Sequence, residues 1–369
     1  MCMRGTKNFQ NCRDSEMSDT VHQIADTIRA AAEAKRPLRI RGGGSKDFYG
    51  NESSGDLLDV SAYSGIIDYQ PTELVITARA GTPLAGIEAV MRERGQMLGF
   101  EPPHFSGGAT IGGCIAAGLS GPRRPYAGSV RDFVLGMRML DGNGTDLAFG
   151  GQVMKNVAGY DVSRLMTGSL GTLGVILEVS LKTLPLPPVE LTICQEQTPA
   201  EAITLMNTWA GKPLPITATC HMDNRLYVRL SGAVTAVKSA ARKLGGDELS
   251  DDADFWRSIR DHQRTYFTGI TETMPLWRVS LQSTTPALDL PGAQVIEWGG
   301  ALRWFKSDVD AMTIRQTARK GDGHATRFHG GSSGAFHPLP EALMRLHRRV
   351  KQAMDPAGIL NPGRLYEGL

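Results

Sequence analysis

Apolar residues first recur at helical spacing over 21–33, where Val21, Ile24, Ala25, Ile28 and Ala32 share one side and Pro37 ends the run. Short apolar runs then predict strands over 38–41, 57–60 and 74–80, followed by a helix over 83–93 with Pro83 in its first turn. A Gly/Ala-rich stretch over 111–119 predicts a short helix packed on something flat. Residues 130–140 predict a strand, the turn "DGNG" (141–144) reverses it, and 147–149 return. A short helix is expected over 162–166 and a long strand over 175–184. The proline cluster 185–188 then marks a boundary, and the texture changes after it. Glycine thins, helices are expected over 199–209 (Thr198 as N-cap), 234–244 and 309–319, and strands over 216–221, 226–230, 277–281, 294–297 and 302–305. This pattern predicts an α+β layer, an antiparallel sheet with helices on one face. A last amphipathic helix, 339–354, precedes the irregular tail "DPAGILNPGRLY", and there is no internal repeat.

Composition narrows the function classes. The chain has 369 residues, 41% hydrophobic and 21% charged, which suits two or three globular domains. Lys plus Arg is 40 against 38 Asp plus Glu, so no charge excess argues for nucleic acid or an acidic membrane. The five cysteines are widely spaced with no C-x-x-C pair, which supports neither zinc nor a cysteine-ligated iron–sulfur cluster and fits a reducing cytoplasm. No apolar run is long enough to span a bilayer, and the polar start reads as a loose extension over 1–19.

Glycine, 43 residues in all, concentrates between Gly42 and Gly174. "PLRIRGGGSKDFYG" (37–50) leaves a strand, bares its backbone and then presents Ser45 and Lys46. The order Gly-Ser-Lys fails the nucleotide P-loop pattern, and Asp47 stands where a dinucleotide fingerprint needs glycine. Two readings stay open: a surface turn, or a turn whose bare amides bind a diphosphate. "GGATIGGCIAAGLSG" (107–121) and "GYDVSRLMTGSLGTLGVILEVSL" (159–181) add two further glycine-dense stretches in a definite order.

That order, together with "GLSGPRRPYAGSVRDFVLG", "GGQVMKNVAGYDVSRLMTGSLGTLG" and the tail, resembles the FAD-linked oxidase family with the vanillyl-alcohol oxidase and p-cresol methylhydroxylase (PCMH) fold. Within it the chain is most similar to the FAD-binding E subunits of bacterial glycolate oxidases, over roughly 20–369. The resemblance implies an α+β chain: a two-subdomain, PCMH-type FAD-binding domain over 20–187, a small α+β cap with an antiparallel sheet over 188–335, and a C-terminal helix and tail, 336–369, returning to the first domain. It places the FAD pyrophosphate against Arg41, Gly42, Gly43, Gly44, Ser45 and Lys46. Thr110, Ile111, Gly112 and Gly113 would lie near the diphosphate and Ala117 and Gly118 near the flavin. Gly128 and Val130 would follow, and Gly171, Gly174, Val175 and Ile176 would close the adenine side. Arg364 would stand near the flavin N1–C2=O edge. Ser45 occupies the place where some relatives tether flavin through histidine, so the FAD is expected to be non-covalent.

The resemblance further implies a subunit oxidising glycolate, a small 2-hydroxy acid, to glyoxylate, with electrons passed to a flavin-bearing D subunit and an iron–sulfur F subunit. The resemblance also implies a place in the cytoplasm, or peripherally on the inner membrane face through those subunits. "GDGHATRFHGG" offers His324, Arg327 and His329 for catalysis, although the family's metal-binding histidine cluster is not evident and no metal is expected. Arg123 and Arg124 could meet a substrate carboxylate or form a salt bridge. Two alternatives stand beside this reading: a flavin-binding relay or scaffold subunit without its own substrate site, and a stand-alone FAD oxidoreductase on another hydroxy acid.

Overall fold

The computed structural model describes residues 5–151 and 160–369, with backbone alone for 5–16; the stretch "QVMKNVAG" (152–159) of the motif "GGQVMKNVAGYDVSRLMTGSLGTLG" lies outside the described residues. The first helix runs Gly5–Glu33. It continues through residues expected to be a loose extension, because no proline interrupts the run from Gly5 to Glu33. Its predicted apolar side is buried: Val21, Ile24, Ala25 and Ile28 pack on Leu38, Leu58, Leu140, Val175 and Leu177.

The first domain has two parts, as expected. One is a short parallel pair, Leu38–Arg41 and Asp56–Asp59. The C-terminal tail lies beside it, with Leu38 N–H donating to Ile359 (2.7 Å) and Asn361 N–H donating to Leu38 (2.9 Å). The other is a five-stranded antiparallel sheet in the order Ile66–Gln70, Val75–Arg79, Val175–Lys182, Val134–Leu140, Asp146–Gly150. The helices Leu84–Glu93 and Ile111–Ala117 cover it, burying Leu84, Ile87, Met91, Ile111 and Ile115 with Ile76, Phe133 and Met139. The stretch 130–140 is not one strand. Ser129 and Asp132 form a capping box that starts a short helix, Val130–Phe133, before the strand begins at Val134.

The cap is an eight-stranded antiparallel sheet ordered Asp247–Glu248, Val189–Glu196, Arg225–Gly232, Ile216–Met222, Gln294–Glu297, Leu302–Lys306, Leu276–Ser280, His324–His329. One face carries the helices Pro199–Ala210, Val234–Leu244 and Ala311–Lys320. The expectation of helices on one face alone needs correcting. A further helix, Asp252–Arg260, lies on the opposite face, where Phe255, Trp256 and Ile259 pack beside Tyr49, Ala117 and Leu119 of the first domain. That face is therefore an interior one, and the space between the domains is filled from both sides.

Candidate functional site

A groove of about 370 Å³ runs along the first domain. Its walls come chiefly from the stretch 39–47, Thr110 with the helix Ile111–Ala117, the stretch 170–176 and the tail at Asn361 and Arg364, with Glu52, Ser53, Val60 and Ala80 beside them. Fourteen of the residues expected at the cofactor line it: Arg41, Gly42, Gly43, Gly44, Ser45, Lys46, Thr110, Gly112, Gly113, Ala117, Gly171, Gly174, Ile176 and Arg364. Ile111, Gly118, Gly128, Val130 and Val175 do not. Ile111, Val130 and Val175 are buried in the core, and Gly118 ends the helix in the left-handed region at φ 66°. Arg39, Glu52, Ser53, Ala116, Leu170 and Asn361 line the groove without having been singled out. Asn361 lay inside the tail motif, but its role depends on a contact across the whole chain, which no local pattern reports.

The groove's chemistry suits a diphosphate. Among the described residues, the main-chain N–H groups of Gly42, Gly43, Gly44, Ser45 and Lys46 donate to no protein acceptor. Consecutive unfilled amides in a turn make a concave anion site. Among the described residues no carboxylate forms an ion pair with Lys46; its Nζ contacts Ser45 Oγ (3.2 Å) and lies over the Phe105 ring, and burial lowers its pKa. Two other groove cations are already engaged. Arg41 Nε lies 2.9 Å from Asp47. Arg364 donates to the carbonyls of Asn51 and Asp47, both at 2.9 Å, so it braces the outer side of the loop.

Most of the glycines serve a purpose other than bare approach to a ligand. A Cβ on Gly43 would stand 1.4 Å from the Gly108 carbonyl oxygen, one on Gly112 2.6 Å from the Ala80 Cβ, and one on Gly174 2.2 Å from the Met139 Cε. These residues let neighbouring segments pack closer than a side chain would allow and so assemble the walls. Gly113 differs: an added Cβ meets only Thr110 Oγ1, at 3.3 Å. Thr110 caps this helix by accepting from Gly113 N–H.

The expected catalytic and substrate residues do not converge. His324, Arg327 and His329 lie on the last edge strand. Arg327 donates to the Ser333 carbonyl, His329 packs on Phe48 at 4.6 Å, and burial lowers the pKa of His329 and of His324. Arg123 is buried in an ion cluster with Glu101 and Glu190, and Arg229 joins it from the cap, 2.8 Å from Glu101. Arg124 sits 4.5 Å over the Trp298 ring. Among the described residues no group of three or more His, Cys, Asp or Glu is placed to hold a metal. Between the domains, Phe48, Phe105, His262, Trp304 and Phe328 pack edge to face, leaving about 20 Å³, room for little more than one water. Burial pushes the His262 imidazole down to about 3, so it is neutral there.

A groove of this make-up, on a two-part domain followed by a sheet-rich cap, defines a flavin-dinucleotide-binding protein of the FAD-linked oxidase class. A family model described as "FAD binding domain" matches residues 18–150, and one described as "FAD linked oxidases, C-terminal domain" matches 338–365. The chain is 49% identical over 353 residues to glycolate oxidase subunit GlcE of Escherichia coli (strain K12), covering 95% of this chain and 99% of that protein. It is 29% identical over 219 residues to glycolate oxidase subunit GlcD of Bacillus subtilis (strain 168), covering 58% of this chain and 46% of that one. Among solved structures, alkyldihydroxyacetonephosphate synthase superposes with a TM-score of 0.64 at 14% identity, over 92% of this chain and 74% of that one, a likeness of fold. The chain belongs to the FAD-linked oxidase family, among the E subunits of glycolate oxidase. Its cofactor is FAD, held without a covalent link. Among the described residues, those that line the groove include no histidine, cysteine or tyrosine. Among the described residues no helix is long and apolar enough to cross a membrane.

The expectation that this chain itself turns glycolate into glyoxylate is corrected by these findings. The full-length relative is an E subunit, whereas the D subunit shares only part of the chain. The residues expected to do the chemistry are dispersed, and the cavity lined by Phe105, His262, Trp304 and Phe328 between the domains measures about 20 Å³.

Proposed function

We propose that this chain is a non-catalytic, flavin-binding relay or scaffold subunit of a glycolate-oxidising complex, working with a flavin-bearing D subunit and an iron–sulfur F subunit. The amides of Gly42–Lys46, with Lys46 and the Thr110-capped turn at Gly113, hold the FAD diphosphate. The tail residues Asn361 and Arg364 hold that loop in place. Bound FAD supplies reversible electron uptake; the chain supplies its binding and its shielding from water.

One observation carries the reading. The groove is complete while the interdomain space beside it is closed to about 20 Å³. The test is the visible spectrum of the purified holoprotein, without air, before and after adding glycolate. The flavin band stays unbleached in the isolated chain and bleaches once the D subunit is added. Rapid bleaching by glycolate, or by another hydroxy acid, in the isolated chain would refute the proposal.

A further inference from the structure

We infer that the helix Glu341–Met354, the loop following the strand His324–His329 and the arginines of the helix Ala311–Lys320 that hold this loop form one basic docking surface for a protein partner with an acidic face. This rests on reading the chain as a subunit of a complex.

The first half of the surface is an arginine cluster without carboxylates. Arg315 Nη2 donates to the carbonyls of Gly334 (2.5 Å) and Phe336 (3.1 Å), and Arg327 donates to that of Ser333. Arg319 Nε faces His337 Nε2 at 3.0 Å, while His337 Nδ1 faces the Ala325 N–H at 3.2 Å. A neutral imidazole has one acceptor nitrogen, so it cannot serve both donors. Among the described residues none of the three arginines pairs with an acid. The Nε atoms of Arg315 and Arg327 are buried without an acceptor. Like charges held this close repel one another, and an incoming anion relieves that repulsion.

The second half is the helix. Among its residues only Lys351 is buried. Leu343 and Leu346 are 41% and 54% exposed. Arg345 and Arg348 share a single carboxylate, Glu341, each at 3.8 Å. Tyr366 joins the halves: its hydroxyl donates to the His337 carbonyl at 3.2 Å, and its ring lies 5.9 Å from Phe336 and 6.4 Å from His347. The same loop reaches the groove wall, with Ala335 N–H donating to Asn51 Oδ1 and Glu52 N–H donating to the Ser332 carbonyl. The surface therefore borders the flavin groove.

Apolar anchors ringed by arginines are the make-up of a protein interface. The occupant is assigned by charge complementarity: unpaired guanidiniums call for carboxylates. The chain's net charge of only +2 speaks against general binding of nucleic acid.

The test uses the full-length holoprotein and the exposed-residue variant Arg319→Glu/Arg345→Glu/Arg348→Glu, with the Arg→Lys triple variant as control. Binding to the D and F subunits is measured by calorimetry at low and high salt. We expect at least tenfold weaker binding for the Glu variant at low salt, near-normal binding for the Lys variant, and unchanged FAD content in both. Equal affinity of the Glu variant and the wild type would overturn the docking surface alone. A wild-type chain that binds neither subunit would overturn the complex reading as well. Binding to anionic vesicles or duplex DNA that is lost in the Glu variant, with subunit binding kept, would reassign the patch and overturn a protein partner.

Discussion

Two glycines that look alike in the sequence carry opposite expectations. Gly43 touches the Gly108 carbonyl so closely that a Cβ would overlap it at 1.4 Å. Gly43→Ala forces two walls of the groove apart, so we expect a loss of about 3 kcal/mol or more and loss of bound FAD, read by thermal melting and flavin content. Gly113 sits in a helix and lines the groove, and its added methyl meets only the Thr110 hydroxyl. Gly113→Ala should melt at or slightly above the wild-type temperature, since Ala favours a helix by about 0.5–1 kcal/mol, yet bind FAD more weakly in a fluorescence titration. Equal FAD affinity would show that Gly113 does not face the cofactor. A third residue gives a pH signature. Burial pushes the Glu297 carboxyl up to about 7, against the Trp304 N–H bond at 2.7 Å that favours its charge. A folded pKa above the unfolded one means that its stabilising contribution is full below about pH 4.5 and is lost as pH rises through about 7. Glu297→Gln should therefore gain stability over wild type at pH 8 and show little difference at pH 4.5. Melting at the two pH values checks this, and the comparison cancels the opposite trend from His262.

The elements themselves were largely legible, and the reasons for the exceptions are local. The helix at 199–210 follows its Thr198–Glu201 capping box and its proline at the first position, and it was read nearly to its ends. The strand Ile66–Gln70 was missed because it is a half-exposed edge with no clear alternation. The strand Val189–Glu196 was missed because it starts directly after the proline cluster taken as a boundary. The glycine loop was legible as an anion site, but the tail's part in it was not. Asn361 accepts from Ile40 N–H at 2.7 Å and donates to the Leu170 carbonyl at 2.6 Å, joining the strand before the loop to the opposite wall. Asn361→Ala leaves both groups unpaired in a nearly buried place, for about 1–3 kcal/mol each at most. We expect a lower melting temperature and FAD affinity reduced by tenfold or more. An unchanged affinity at equal fold content would show that the tail braces the fold and not the site.

At the scale of the whole molecule, the two domains are joined by charge as well as by aromatic packing. Glu101 and Arg123 come from the first domain and Glu190 and Arg229 from the cap, and both arginines are nearly buried. Burial alone would raise the Glu101 carboxyl, but Arg229 and Arg123 outweigh it and hold it below the usual range. Its contribution is thus present above about pH 4.5 and is lost as pH falls below that. Removing Glu101 leaves the nearly buried Arg123 and Arg229 with Glu190 alone to share, at about 3–5 kcal/mol, whereas an apolar replacement of the whole set could be neutral. That asymmetry sets the experiment. Glu101→Gln leaves Arg229 and Arg123 sharing the single carboxylate of Glu190 at the domain boundary, so calorimetry should resolve two transitions where the wild type is expected to show one. The combined Glu101→Leu/Arg123→Met/Arg229→Met/Glu190→Leu variant should recover a single transition. Were Glu101→Gln to melt in one step at the wild-type temperature, the network would not be what couples the domains, and the aromatic packing around Phe328 would have to hold the interdomain space closed without it.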